Sequence, residues 1–140
     1  MGRFAVLLLA SFALIGCGGG DSNGDGDGDV ATWEIDEGAG PAPDDSTFTA
    51  LVTRLGCASG ETGEVLDPHV TVDEDRIVVT FTVAPIGDGP HDCPGNDAVP
   101  FEVDLAAPIG ERELVDGACL GGEAATTTPC ADGEVRWTAP

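Results

Sequence analysis

The chain has 140 residues, 26 of them Asp or Glu against five arginines and no lysine, a formal charge of −21 at neutral pH. Such a charge repels phosphate backbones and anionic headgroups, which excludes nucleic acid as a partner. Lysine and tyrosine are absent, so Schiff-base, lysine-base and phenol mechanisms are excluded, and the few aromatics leave the core to Val, Leu and Ile.

The first element is an export signal. Met1-Gly2-Arg3 carries one positive charge, Phe4 to Ile15 is apolar apart from Ser11, and small Gly16 precedes Cys17. As a helix the apolar run would reach roughly 18 Å, short of the ~30 Å hydrocarbon core. Leu14-Ile15-Gly16-Cys17 resembles the lipobox of a bacterial lipoprotein signal. The resemblance implies that residues 1–16 are removed and that the Cys17 sulfur is acylated. The competing readings are a plain secretory signal that happens to contain a cysteine, and an uncleaved anchor. Behind Cys17 the run from Gly18 to Asp29 is too rich in glycine and aspartate for helix or strand. Residues 17–46 are therefore expected to be an acidic tether, and 47–140 the folded domain.

The tether contains one metal-like pattern. Asn23, Asp25 and Asp27, then Gly28, apolar Val30 and Glu34, follow the spacing of a calcium-binding EF-hand loop. Neither flank is helical, since Gly18 to Gly20 precede the run and Gly38 to Pro43 follow it. Alternating Asp and Gly generates such matches by composition alone, so the segment is expected to be a spacer and no cofactor is expected. Val30 to Asp36, with Trp33 and Ile35 on one face, is either an edge strand or part of the linker.

From Thr47 the pattern becomes period-two and β-branched. Thr47 to Leu55 reads as a strand, and Val70 to Val72 with Arg76 to Val83 as a hairpin across the polar Asp73-Glu74-Asp75 turn. Ile77, Val79, Phe81 and Val83 share its inner face. Pro85 to Pro100 reads as loop, Phe101 to Leu105 as a strand, and Arg112 to Val115 as a short strand ended by an Asp116-Gly117 turn. Gly121 to Pro129 reads as loop and Gly133 to Trp137 as the last strand. Short strands at this spacing, with no helical period, predict an all-β fold, a small antiparallel sandwich of immunoglobulin-like architecture.

Apart from Cys17 there are four cysteines, Cys57, Cys93, Cys119 and Cys130. In a small exported domain an even number reads as two disulfides. Three pairings satisfy the count; Cys57–Cys93 with Cys119–Cys130 is favoured because it staples one loop and closes another. A zinc site is the alternative, although no C-x-x-C pair is present.

Val52 to Cys57, His91 to Asn96, Pro108 to Arg112, Leu114 to Gly117 and Val135 to Trp137 resemble small actinobacterial-type lipoproteins or secreted proteins without assigned activity. That resemblance implies a fold and a location and brings no catalytic residues. No serine occupies a G-x-S-x-G elbow, because Gly56-Cys57-Ala58-Ser59-Gly60 has alanine at the nucleophile position. His69 and His91 read as surface-loop histidines, and Trp33 and Trp137 as core or edge-covering aromatics. Asp92, Asp97 and Asp116 are the loop carboxylates of most chemical interest. The expectation is a lipid-anchored, outward-facing envelope protein acting as a non-enzymatic binding or structural module. Its partners would be the membrane through the anchor, and an envelope protein or polymer. The alternative is a small exported enzyme, or a cation-dependent hydrolase subunit, using loop carboxylates.

Overall fold

The computed structural model describes residues 28–140. They form seven strands, β1 (Asp29–Glu34), β2 (Thr47–Arg54), β3 (His69–Val72), β4 (Arg76–Val83), β5 (Val99–Asp104), β6 (Glu113–Asp116) and β7 (Val135–Trp137). Three 3-10 turns, Gly117–Leu120, Ala124–Thr126 and Thr128–Cys130, lie between β6 and β7. The strands build one open sheet in the order β5-β2-β1-β4-β6-β7, with β3 paired to β4. This is the all-β, small sandwich-like body that the alternation predicts. The pairings are antiparallel except one: β6 runs parallel to β4, so the sheet is mixed.

Alternation explains the core. Phe48, Ala50 and Val52 of β2, Ile77, Val79, Phe81 and Val83 of β4, and Val103 of β5 are buried on one face. Trp33 sits among them with no exposed surface and packs on Phe48 and Phe81 at ring-centroid distances of 5.5 and 6.3 Å. Pro100, which lacks an N–H, is tolerated because β5 is an edge strand.

The expected boundaries need correction at the N-terminal side. β1 is neither linker nor edge strand but lies between β2 and β4, so the folded body includes Asp29–Glu34 and is not confined to the residues from Thr47 onward. Burial of Trp33 and Ala31 outweighs the glycine and aspartate that precede them. Residues 37–46 have no regular structure, yet they are not a free tether either. Leu105 N–H donates to Ser46 O, Ile109 N–H to Asp45 O and Gly110 N–H to Pro43 O, at 2.8–2.9 Å. Asp116, read as a turn residue, closes β6 and caps the following 3-10 turn through Ala118 N–H.

β4 organises the sheet through both of its edges. Thr82 O accepts from Leu66 N–H, and Ala84 N–H donates to Glu64 O, so even-numbered residues of β4 face the β3 side. Odd-numbered residues face the other edge, which β1 and β6 share. β1 descends it from Val83 to Phe81, and β6 climbs it from Arg76 to Val79. The two strands meet head to head beside Val79. There the Trp33 indole N–H donates to Val79 O at 2.9 Å, filling a position that a third ladder bond would take.

Trp33→Phe removes that donor and part of the core volume, and is expected to cost about 2–4 kcal/mol by urea unfolding. Trp137→Phe, at the half-buried edge, is expected to cost about 1 kcal/mol or less by the same measurement.

Candidate functional site

Two buried polar clusters and one cleft stand out among the described residues. The first cluster is built on Arg54. Its position continues the inward series Phe48, Ala50, Val52, so the guanidinium is carried onto the core face, where the side chain is 1% exposed. There Nε donates to Thr62 O at 3.1 Å, Nη1 pairs with Asp29, and Nη2 donates to Ala84 O. The arginine thus ties the entry of β1, the exit of β4 and the loop after β2 into one end-cap.

The loop after β2 is in turn zipped to residues 92–97. Ser59 N–H donates to Asp92 O at 2.9 Å, Thr62 N–H to Asp97 Oδ1 at 2.7 Å, and Asp97 N–H to Gly60 O at 3.0 Å. Asn96 Nδ2 donates to the carbonyls of Arg54 and Gly56 at 3.0 and 2.7 Å. Across this seam Cys57 is bonded to Cys93.

The second cluster is at the junction of β1 and β6. Asp116 is fully buried, and its carboxylate accepts from Trp33 N–H at 3.0 Å, Ala118 N–H at 3.0 Å and Arg136 Nη2 at 3.1 Å. Burial pushes its carboxyl above the ordinary value of 3.8, while the bonds from Trp33, Arg136 and Ala118 pull it down without cancelling the effect. Arg136 also donates to Pro129 O at 3.0 Å and lies 3.1 Å from the Cys119 sulfur, which is bonded to Cys130. Its Nε is enclosed without a partner.

The cleft lies over the opposite face of β1 and β2. It has a volume of about 420 Å³, is floored by Thr32 and Thr53, and is walled by Arg54 to Cys57, by Cys93, Gly95 and Asn96, and by Thr127 to Pro129. No carboxylate or imidazole is among its lining residues. Across Arg54 to Cys57 it meets a second groove of about 910 Å³, bounded by Val30, Thr80, Thr82, Ile86 and the first two 3-10 turns. Those turns close onto β4 because Gly117 has no side chain. A Cβ there would stand 1.9 Å from Thr80 Oγ1.

The residues singled out from the sequence separate accordingly. The cysteines pair as favoured, Cys57 with Cys93 and Cys119 with Cys130. Cys17, Asn23, Asp25 and Asp27 lie outside the described residues. Glu34, the twelfth position of the calcium-loop pattern, is the exposed end of β1. A strand rising about 3.3 Å per residue carries it roughly 17 Å from Asp29, the seventh position, too far for one ion. No group of three His, Cys, Asp or Glu side chains that could hold a metal occurs among the described residues. His91 is exposed and bonds Gly87 O at 3.0 Å, and exposed His69 reaches Thr71 Oγ1 at 3.4 Å. Asp92 and Asp97 serve the loop seam, and Asp116 serves the strand junction. No hydrogen bond joins His91 to any of these three carboxylates among the described residues.

Sequence reasoning passed over Arg54, Thr32 and Arg136. Arg54 was findable, because period two carries it to the inward face. Thr32 and Arg136 carried no signal, since their burial depends on the turns that cover them.

Asp116→Asn leaves one oxygen for three donors and strips Arg136 of its anion, so it is expected to cost about 3 kcal/mol near neutrality. The sign with pH follows from the raised carboxyl. The native state holds this proton more tightly than the unfolded chain, so its contribution is complete below pH 3.8 and is lost as pH rises above it. Urea unfolding from pH 3.5 to 7 is expected to show the wild-type advantage over Asp116→Asn shrinking as pH rises. Removing Cys57–Cys93 by double serine substitution opens a loop of 36 residues in sequence separation, against 11 for Cys119–Cys130. Chain entropy sets those losses at about 4 and 3 kcal/mol respectively, measurable by thermal unfolding. Comparison with known proteins gave no match to a family model, to a curated protein or to a solved structure.

Proposed function

We propose that this chain is a lipid-anchored cell-envelope protein, exported, processed before Cys17 and acylated there, whose sheet domain is a non-enzymatic binding or structural module facing outward. The observation that carries the binding reading is a cleft lined by no carboxylate on a strongly anionic molecule. The buried charged groups are committed elsewhere, Arg54 to the end-cap and Asp116 with Arg136 to the strand junction. Arg54 borders the cleft, and the other lining residues present hydroxyl, amide, backbone, apolar and disulfide groups, which bind and do not react.

The anchoring reading rests on the lipobox-like run and gains a dimension from the early start of β1. Only residues 18–28 separate Cys17 from the sheet. Eleven residues span at most about 40 Å, so the module would be held close above the bilayer that its charge keeps it from touching. Acyl chains at about 0.8 kcal/mol per buried methylene would make that attachment stable once two or more are present.

Cys17→Ser is the test. The wild type is expected to partition into the detergent phase, and the variant into the aqueous phase. A variant that stays in detergent as strongly, with its signal processed normally, overturns the lipid anchor.

A further inference from the structure

Thr32 is 3% exposed, yet its hydroxyl has no hydrogen-bond partner among the described residues. It is not sealed in: the enclosed side-chain polar atoms without a partner are Asn96 Oδ1 and Arg136 Nε, and Thr32 is not among them. The remaining exposure of Thr32 therefore opens into the cleft that it floors. Its hydroxyl is thus free to bond a molecule that enters the cleft, where valine would offer the same shape without a polar group. Thr53 stands directly across the ladder from Thr32, so its side chain rises from the same face about 5 Å away. Its hydroxyl makes no bond within the described residues either.

We propose that this cleft takes one unit of an uncharged, hydroxyl-bearing chain, a neutral saccharide. The inference deepens the reading of the domain as a binding module and rests on it. A threonine hydroxyl both donates and accepts, and so does each hydroxyl of a sugar, so the two match in either polarity. Anionic ligands are turned away by the surrounding carboxylates. Cationic ligands find no carboxylate on the lining. Leu55, Pro129 and the Cys57–Cys93 bridge offer apolar surface to the C–H faces of a ring. The volume of about 420 Å³ lies within the range of small-ligand sites, roughly 300–1,000 Å³. Continuity with the larger groove across Leu55 to Cys57 suits a linear polymer better than a lone monosaccharide.

The full chain, ¹⁵N-labelled in detergent micelles, is titrated with maltohexaose, with chito-pentaose (the N-acetylated, uncharged form), with a terminally blocked tri-alanine and with polygalacturonate. A neutral oligosaccharide is expected to give saturable shifts at the amides of Thr32, Thr53, Gly56, Gly95 and Thr128, and polygalacturonate none. Thr32→Val is expected to weaken that binding roughly three- to tenfold, the worth of one hydrogen bond. Its Tm is expected to stay unchanged or rise, because the lost hydroxyl had no partner. Thr49→Val, on the same face of β2 but outside the cleft, is expected to leave the affinity unchanged. Absence of saturable shifts with both neutral oligosaccharides overturns the proposal, as does equal affinity in Thr32→Val. A fall in Tm in that variant overturns its premise. Binding of the blocked peptide alone overturns the saccharide while leaving the binding-module reading standing.

Discussion

Two strands competing for one edge of β4 set the constraint on which the rest of this structure depends. β1 and β6 approach Val79 from opposite ends, and where they meet the ladder must break. A break inside a sheet strands backbone donors and acceptors away from water, and such groups are costly unless paired. Here two side chains take over the pairing. The Trp33 indole satisfies Val79 O, and the Asp116 carboxylate satisfies the Trp33 N–H. The same carboxylate then starts the 3-10 turn through Ala118 and draws Arg136 in from β7. One charged group thus joins β1, β6, β7 and the cover segment. Removing it would leave each of them with a loose end, and Arg136 would keep its charge in a buried place. Direct pairing with Arg136 and two N–H donors makes the buried ion tolerable, without restoring the carboxyl to its ordinary affinity for protons.

Cation use over the molecule follows the same economy. Arg54 and Arg136 are almost fully withdrawn from solvent, with side-chain exposures of 1% and 8%. Arg112 turns onto the carbonyls of Pro108 and Ile109. Arg76 remains on the surface, 46% exposed and 3.7 Å from Asp73. The outside is therefore left to carboxylates, with scarcely a positive charge to offset them. Self-repulsion of this kind opposes the compact state and is screened over about 8 Å at physiological ionic strength. It also keeps copies of the molecule apart, and this bears on the sheet edges. Glu102 and Asp104 line the β5 edge, and acids cluster at the turn after β3, so edge-to-edge pairing of identical chains meets like charge.

Much of the fold was legible in the sequence because period two is a local signal. Strands β2, β4 and β5 announce themselves by alternation, and the β3–β4 hairpin by its acidic turn. What local signals cannot report is order in the sheet. Val30 to Asp36 alternates as a strand, but nothing near it says that β1 lies between β2 and β4, because its neighbours come from distant parts of the chain. The parallel β4–β6 pair was hidden for the same reason, and the mixed sheet departs from the purely antiparallel one expected. At the candidate site, Arg54 is a case where alternation already held the answer and the charge disguised it. Asp116 looked like a turn residue, which is half of its role; the other half depends on Trp33, 83 residues away in sequence. Thr32 could not be singled out, because its burial comes from turns that cross the outer face of the sheet.

The placement of the two disulfides bears on what those turns are for. Neither crosses the apolar core, which Val, Phe and Trp side chains hold without them. Cys57–Cys93 ties the seam between the loop after β2 and residues 92–97, and Cys119–Cys130 ties the ends of the 3-10 segment. These are the segments that wall the cleft over Thr32 and Thr53. Loops of this composition have much entropy to lose on ordering, and a covalent closure removes part of that loss from the unfolded chain. A bonded seam of backbone hydrogen bonds would hold the first loop in register by itself once it is closed. Staples therefore sit where the fold has little apolar surface to bury and where the shape of the groove is decided. Walls that opened would lose the geometry of the groove while the core remained folded beneath them, and the two disulfides stand against that opening.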